Sequence, residues 1–277
     1  MRALILAVTL SFFSFTSFGQ TANPDVLIGV VPNMSARLIS TNYQPLADYF
    51  EKGLGRKVAV TTGTNFPNFY QRALTNEFQI MVTAPNLARV SQIDGNWEAV
   101  AVFEPGIPGL LVGMAGRQNN LEFLRGKKLA VANPQSLVAL AGVNWLSSQG
   151  FVNDRDYEIL RIANDDSLGV SLKTGEAAFA LMSQGEFNAK DVELKKILTP
   201  VNTFVKLPGF FIMVNANVTS HEKQKMKALI LNFPKSEQAK QFFSSTGFTG
   251  MNSPTDDQLK FLDSFTEATR QGLSQAK

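Results

Sequence analysis

Apolar runs and amphipathic segments alternate along the chain from residue 25 onward, and this alternation constrains the fold most. Residues 26–31 form an unbroken apolar run, which is typical of a strand buried on both faces. Turn residues follow at 32–35, and apolar side chains then recur at helical spacing from Tyr43 to Leu54. Strands that alternate with helices over short links predict a parallel sheet covered by helices on both faces. The sequence therefore predicts the α/β class.

The strand–helix pattern occurs twice, which predicts two lobes. A strand-like segment at 110–114 would lead out of the first lobe, and another at 210–214 would lead back. We therefore predict a discontinuous first lobe of residues 20–113 and 210–277, with residues 114–209 inserted as a second lobe. Two strand-like crossings would join the lobes and leave a cleft between them.

Three local predictions accompany this division. Residues 194–198 predict a strand, and residues 256–272 predict one helix. Thr219 and Glu222 form a capping-box pattern at a helix start. His221 lies inside that pattern, where a solvated position is expected.

The first nineteen residues predict a cleaved secretory signal peptide. Arg2 gives a positive start, residues 3–10 are apolar, and small residues at Ser17 and Gly19 suit a cleavage site. A transmembrane helix is the alternative, but it needs roughly 20 apolar residues. No cysteine follows the run, which excludes a lipid-anchored form. We therefore expect a soluble periplasmic protein whose mature chain begins at Gln20.

The composition excludes several kinds of chemistry. The net charge of +3 is small and dispersed, so it does not indicate nucleic-acid binding. A chain with one histidine and no cysteine cannot form a disulfide scaffold or a thiolate metal site. Nucleotide-binding and hydrolase motifs are absent. The adjacent carboxylates Asp165-Asp166 and Asp256-Asp257 suit helix starts. We predict no enzyme, cofactor or metal, although a glycosidase that uses only carboxylates stays open.

Open α/β sheets bind ligands beyond the carboxyl ends of their strands. Those ends lie at residues 32–35, 64–66, 83–86 and 133–136. The predicted ligand-binding residues there are Asn33, Asn65, Phe66, Thr83, Asn86, Asn133 and Ser136. Each has a second interpretation, since asparagine is common in turns, serine caps helices, and Phe66 suits a core.

Several segments, in order, resemble phosphonate-binding (PhnD-like) solute-binding proteins over nearly the whole mature chain. They are IGVVP (28–32), YQPLADYFEK (43–52), LGRKV (54–58), FQIMVTAPN (78–86), GKKLAVANPQS (126–136) and TGFTGM (246–251). The resemblance implies the type II periplasmic binding protein fold, with two Rossmann-like lobes joined by two hinge strands. It also implies that the lobes close on a ligand.

The same resemblance adds two site residues and shows departures from the family. The family's Asp-Pro-x-Ser-Thr-Ser anion cradle reads NPQSLV at 133–138, so one hydroxyl remains. The family's histidine falls near Asn164, and its carboxylates fall around residues 177–182, where Met182 stands and no residue is acidic. Met182 also suits a core. These departures argue against a 2-aminoalkylphosphonate, whose ammonium would lack a partner. A small anion or a neutral polar molecule stays open.

The predicted partners are a small-molecule ligand and an ABC permease, for a protein that is monomeric and binds no nucleic acid. A sensory protein that signals to a membrane receptor is the alternative, and the sequence does not separate the two.

Overall fold

The computed structural model describes residues 25–162 and 166–274, so the predicted leader and Asn164 lie outside the described residues. The strands are β1 (Val26–Val30), β2 (Val58–Thr62), β3 (Ile80–Thr83), β4 (Trp97–Glu104), β5 (Ile107–Met114), β6 (Lys127–Val131), β7 (Tyr157–Arg161), β8 (Phe179–Ser183), β9 (Leu198–Leu207), β10 (Phe211–Asn215) and β11 (Gly250–Asn252).

The helices cover both sheets. They are α1 (Ala36–Leu54), α2 (Phe66–Leu74), α3 (Pro85–Asp94), α4 (Leu137–Ser148), α5 (Asp166–Lys173), α6 (Gln184–Asn188), α7 (Val192–Ile197), α8 (Ser220–Asn232), α9 (Glu237–Thr246), α10 (Asp256–Asp263) and α11 (Thr266–Ser274). Short 3-10 turns lie at Leu121–Leu124 and Phe233–Lys235.

The strands form two sheets, and each sheet contains three neighbouring parallel strands. The first sheet has the order β11-β4-β10-β3-β1-β2, and the second has the order β7-β6-β8-β5-β9. In the first, β1 is parallel to both β2 and β3, and in the second, β6 is parallel to both β7 and β8. Antiparallel strands complete each sheet. We call the first sheet with the helices packed on it the first lobe, and the second sheet with its helices the second lobe.

Strand pairing changes the predicted lobe boundary. The sequence assigned residues 107–113 to the first lobe, but β5 pairs with β8 and β9 along its length. Pro105 and Gly106 end β4, so the apolar run after them begins a strand of the other sheet. The chain crosses between sheets at residues 104–107 and again at 207–211.

Two local predictions differ from the structure. Residues 194–198 were expected to form a strand, but most of them belong to α7, because the Asp191 side chain caps that helix at the Leu194 N–H. β9 follows instead. The predicted helix over 256–272 is two helices, α10 and α11. The exposed position expected for His221, on the first turn of α8, is confirmed.

The two crossings are packed tightly against each other. The Phe103 N–H donates to the Phe210 carbonyl at 2.8 Å. A Cβ atom on Gly209 would lie 1.9 Å from the Phe103 carbonyl oxygen, and one on Gly106 would lie 2.6 Å from the Leu207 oxygen. Only glycine fits at these two positions, so the crossings hold the lobes in a defined relation.

An aromatic core fills one side of the first sheet. Tyr43 meets Phe242 edge to face at a centroid distance of 5.3 Å, and Phe103 stacks on Phe248 at 4.5 Å. On the opposite side of this sheet, a second cluster also includes Leu137 and Ala141 of α4. Because α4 belongs to the second lobe, this cluster joins the lobes by apolar contact.

Candidate functional site

An open groove lies where β1 and β2 end. The two strands are parallel, so the residues that follow them meet at one edge of the first sheet. The groove has a volume of about 510 Å³ and is lined by Pro32, Met34, Ser35, Ala36, Thr62, Gly63, Thr64, Asn68 and Arg72. Its lining includes the start of α1, where the Ser35 hydroxyl accepts from the Leu38 N–H.

The Arg72 guanidinium borders this groove but is held by first-lobe partners. It donates to the Thr62 carbonyl and to the Thr61 hydroxyl, the latter at 3.0 Å. It also forms an ion pair with Glu77, whose hydrogen bond raises the pKa of Arg72 and lowers that of the carboxyl. Arg72 therefore fixes the loop after β2.

Three predicted site residues stand at the groove side without forming a site together. Asn33 is exposed in the turn after β1. Asn65 is exposed and caps α2, since its side chain accepts from the Asn68 N–H at 2.8 Å. Phe66 is buried in the second cluster. The turn interpretation accounts for Asn33 and Asn65, and Phe66 packs in the cluster that also holds Leu137 of α4.

The loop at residues 133–136 prepares the start of α4. The Asn133 side chain accepts from the Gln135 N–H, and its carbonyl accepts from the Ser136 N–H, both at 3.0 Å. The Ser136 hydroxyl caps α4 by accepting from the Ala139 N–H at 3.2 Å. Helix geometry leaves the N–H groups of Leu137 and Val138 without intrahelical partners. The helix start therefore suits an anion or another acceptor.

Asn86 connects this loop to the first lobe. It lies in the first turn of α3 and is 1% exposed. Its Nδ2 donates to the Gln135 carbonyl at 3.0 Å and to the Thr269 hydroxyl of α11 at 3.2 Å. Because the Gln135 carbonyl only accepts, the amide orientation is fixed, and Oδ1 must face the other way.

Two buried polar atoms near this connection need a partner. Within the part of the chain that the structure describes, Thr83 Oγ1 and Asn86 Oδ1 have no hydrogen-bond partner. Thr83 ends β3 and is fully buried. A buried polar group that makes no hydrogen bond costs about 1–3 kcal/mol. These oxygens are two of six such buried side-chain atoms among the described residues. Of the two, Asn86 Oδ1 belongs to a side chain that also contacts the second lobe, where a ligand or water could supply the missing partner.

Met182 does not belong to this junction. It lies in β8, is 1% exposed, and packs in an apolar cluster of the second sheet with Leu110 and Val112. Its core interpretation is the one that the structure supports. Asn86, Asn133 and Ser136 are thus the predicted residues that lie at the contact between lobes, and Thr83 lies three residues before Asn86 at the end of β3.

Sequence reasoning missed Gln135, Thr269 and Gly272. Gln135 stands inside the loop that was singled out, between two predicted site residues. Thr269 follows Leu262 and Phe265 at helical spacing, which indicates a polar residue on a buried helix face. That spacing was a usable signal, whereas nothing in the sequence indicated which element Thr269 meets.

Two kinds of site are absent among residues 25–162 and 166–274. No group of three or more His, Cys, Asp or Glu side chains is arranged to hold a metal ion. No helix in these ranges is both long and apolar enough to cross a membrane.

Known proteins share the architecture. A family model described as the ABC transporter phosphonate periplasmic substrate-binding protein matches residues 28–259. PhnD1 from Prochlorococcus marinus, in complex with methylphosphonate, has a TM-score of 0.76 at 11% identity, covering 89% of this chain and 98% of that chain.

Two further solved structures are similar. XAC2383 from Xanthomonas citri bound to ATP has a TM-score of 0.75 at 12% identity, covering 91% of this chain and 99% of that chain. The aliphatic sulphonate binding protein SsuA from Escherichia coli has a TM-score of 0.63 at 11% identity, covering 89% and 96%. At these identities the likeness concerns the fold, and it confirms the predicted type II periplasmic binding protein architecture.

Proposed function

Because the chain belongs to the family of periplasmic phosphonate substrate-binding proteins of ABC transporters, we propose that it captures a small oxyanion between its lobes for an ABC importer. Proteins of this family bind solutes and are not enzymes. Export through residues 1–19 is part of this proposal, and N-terminal sequencing of the exported protein tests it.

The observation that carries the proposal is Asn86, whose Nδ2 meets the loop before α4 while its buried Oδ1 has no partner among the described residues. Thr83 Oγ1 and Asn86 Oδ1 lie on the first-lobe side of the contact, and the loop 133–136 lies on the other. Asn86 is buried where the lobes meet, and Thr83 precedes it by three residues at the end of β3, so in this proposal a ligand reaches them when the lobes part. Closure would then place the ligand between groups from both lobes.

The chemistry of these groups favours a protonated oxyanion. The backbone N–H groups at the start of α4 donate to oxygen atoms, and a helix start favours negative charge. Asn86 Oδ1 only accepts, so its partner must carry an O–H or N–H group. A phosphonate or phosphate monoanion offers both kinds of contact, whereas a sulfonate is fully ionised and has no O–H. We therefore propose the phosphonate and phosphate class over sulfonates.

A thermal-shift measurement on the mature protein tests this proposal with methylphosphonate, phosphate, phosphite and ethanesulfonate. A ligand at 100 times its Kd adds about 2.7 kcal/mol, which is about 5–10 °C for a chain of this size. We expect this shift with the first three compounds and not with the sulfonate. No shift with any of them would contradict oxyanion capture, and an equal shift with ethanesulfonate would contradict the role of Asn86 Oδ1.

Thr83→Val sharpens the same experiment. Removing an unpartnered buried hydroxyl leaves the melting temperature unchanged or raises it slightly, because a desolvation cost disappears. The shift with methylphosphonate should nevertheless fall by at least half. Thr64→Val is the matched control, since Thr64 lines the open groove and is exposed. A loss of shift in the Thr64 variant alone would move the site to the groove.

A further inference from the structure

The last helix of the described chain, α11, is anchored on the first lobe. The Arg270 guanidinium donates to both oxygens of the Asp94 carboxylate, at 2.8 and 2.6 Å. The Tyr70 hydroxyl donates to the same carboxylate at 2.8 Å. Arg89 of α3 pairs with Asp263, at the end of α10, at 2.6 Å. These contacts fix α10 and α11 against α2 and α3.

One face of α11 lies where α3 of the first lobe meets the loop 133–136 of the second. Thr269, Gly272 and Leu273 lie at helical spacing on this face. The Gln135 side-chain amide donates to the Gly272 carbonyl at 3.4 Å, and Thr269 accepts from Asn86. Leu273 is buried in the apolar cluster that also holds Leu137 of α4.

Because Gly272 has no side chain, Gln135 of the second lobe can pack closely against α11. A Cβ atom at this position would lie 2.8 Å from Gln135 Cγ, so any larger residue would push Gln135 away. The helix α11 also follows the segment that the family model matches, which ends at residue 259.

We propose that α11 is a strap that holds the loop 133–136 of the second lobe against α3 of the first. Gln135, Thr269 and Gly272 are positioning residues, because they act on the ligand loop through contacts rather than on the ligand. The strap favours the arrangement in which the lobes are together, so it shares the control of closure with the ligand. This inference rests on the proposed function in one respect, namely that the lobes part to admit a ligand.

A pair of engineered cysteines tests the strap directly, because the chain has no cysteine of its own. An ideal Cβ atom at Gly272 lies 3.6 Å from Gln135 Cβ. Disulfides have Cβ–Cβ distances of about 3.5–4.5 Å. The double variant Gln135→Cys with Gly272→Cys should therefore form an intramolecular disulfide under mild oxidation without any ligand. Non-reducing electrophoresis and mass spectrometry detect it.

The control pair is Gln135→Cys with Gln271→Cys, since Gln271 is exposed on the other side of α11. We expect this pair to form a disulfide at least tenfold more slowly. Equal rates for the two pairs would overturn the strap, as would the absence of any disulfide in the 135/272 pair.

A second variant does not depend on oxidation. In the single-cysteine background Gln135→Cys, the rate of thiol labelling reports how often the loop leaves α11. Adding Thr269→Val removes the hydrogen bond that positions the Asn86 amide against the Gln135 carbonyl, and the labelling rate should rise by up to about fivefold, the effect of one ordinary hydrogen bond. Gln271→Ala in the same background should leave the rate unchanged. An unchanged rate in the Thr269 variant would contradict the positioning role.

Methylphosphonate and phosphate separate this inference from the proposed function. Ligand capture predicts that either compound slows thiol labelling at position 135 and speeds the 135/272 disulfide. If the disulfide forms readily and neither compound changes its rate, the strap is supported and oxyanion capture is contradicted.

Discussion

The helices α1 and α4 begin at equivalent places in the two lobes, yet one start is open and the other is covered. Each follows the middle strand of a parallel trio, β1 in the first sheet and β6 in the second. Each is capped by a serine, Ser35 or Ser136, whose hydroxyl accepts from a backbone N–H of the first turn. In local chemistry the two starts are alike.

Their surroundings differ. Leu38 in the first turn of α1 is 52% exposed beside the open groove, whereas Leu137 at the start of α4 is 3% exposed. Asn86 and α11 cover the loop before α4 and bring in polar atoms from the other lobe. A capped helix start is therefore common to both, and tertiary contact brings polar groups of the other lobe only to the second.

The largest expected effect comes from the crossings that bring α4 against the first lobe. Gly209→Ala places a Cβ atom 1.9 Å from the Phe103 carbonyl oxygen. Backbone must move, so the free energy of unfolding should fall by about 3 kcal/mol or more. Gly250→Ala is the control, because that position opens to free space and should change stability by less than about 0.5 kcal/mol. Chemical denaturation measures both, and equal stability would mean that the crossings are looser than described.

A pair of truncations tests the difference between the two helix starts. Leu137→Ala removes a buried side chain from the cluster that joins the lobes and should cost about 2–5 kcal/mol of unfolding free energy. Leu38→Ala removes an exposed side chain and should stay within about 0.5 kcal/mol. Urea unfolding of both variants decides the matter. A large cost at Leu38 would show that the first turn of α1 is covered in solution.

The smallest expected effect concerns the ion pair between Arg270 and Asp94. This pair holds α11 in place, and α11 contacts the loop before α4 but not the start of α1. The hydrogen bonds from Arg270 lower the pKa of the Asp94 carboxyl, so the ion pair stabilises the folded state above the ordinary pKa of 3.8. That contribution disappears as the pH falls through the lower folded pKa. Since both side chains are partly exposed, Arg270→Ala should cost about 0.2–1 kcal/mol near pH 7.

Unfolding free energies of the wild type and Arg270→Ala, measured from pH 7 to pH 2, should therefore converge at the acid end. A difference that stays constant over this range would assign the effect to the lost arginine stem rather than to its charge.

Much of the fold could be predicted, because a strand that is buried on both faces has a continuous apolar sequence. β1 is apolar along its length since helices cover both faces, and β3 is likewise buried throughout, whereas β2 at the sheet edge is only partly buried. The membership of β5 could not be predicted, because its apolar sequence suits either sheet equally. β9 was missed for another reason, as this edge strand mixes exposed Asn202 and Thr203 with Phe204 and shows no clear period.

The candidate site could be predicted from the sequence only where it lies at strand ends and helix caps. Thr83, Asn86, Asn133 and Ser136 follow from the rule that ligands bind beyond parallel strands. Asn65 obeys the same rule and only caps a helix, so the rule alone does not separate a site from a turn. The contact of Gln135 with Gly272 joins residues far apart in sequence and depends on how α11 packs, which no local pattern contains.

The pairing of Ile107 with Leu207 has a consequence for the architecture of the gene. The inserted lobe begins in β5 and ends in β9, and these two ends are paired, so both of its junctions with the first lobe lie side by side. Exchange of this segment between homologous genes needs only these two backbone joints, and the contacts of the loop 133–136 and of α4 with the first lobe must then match as well. Chimaeras joined at these two junctions would combine the first-lobe groove of one relative with the α4 start of another.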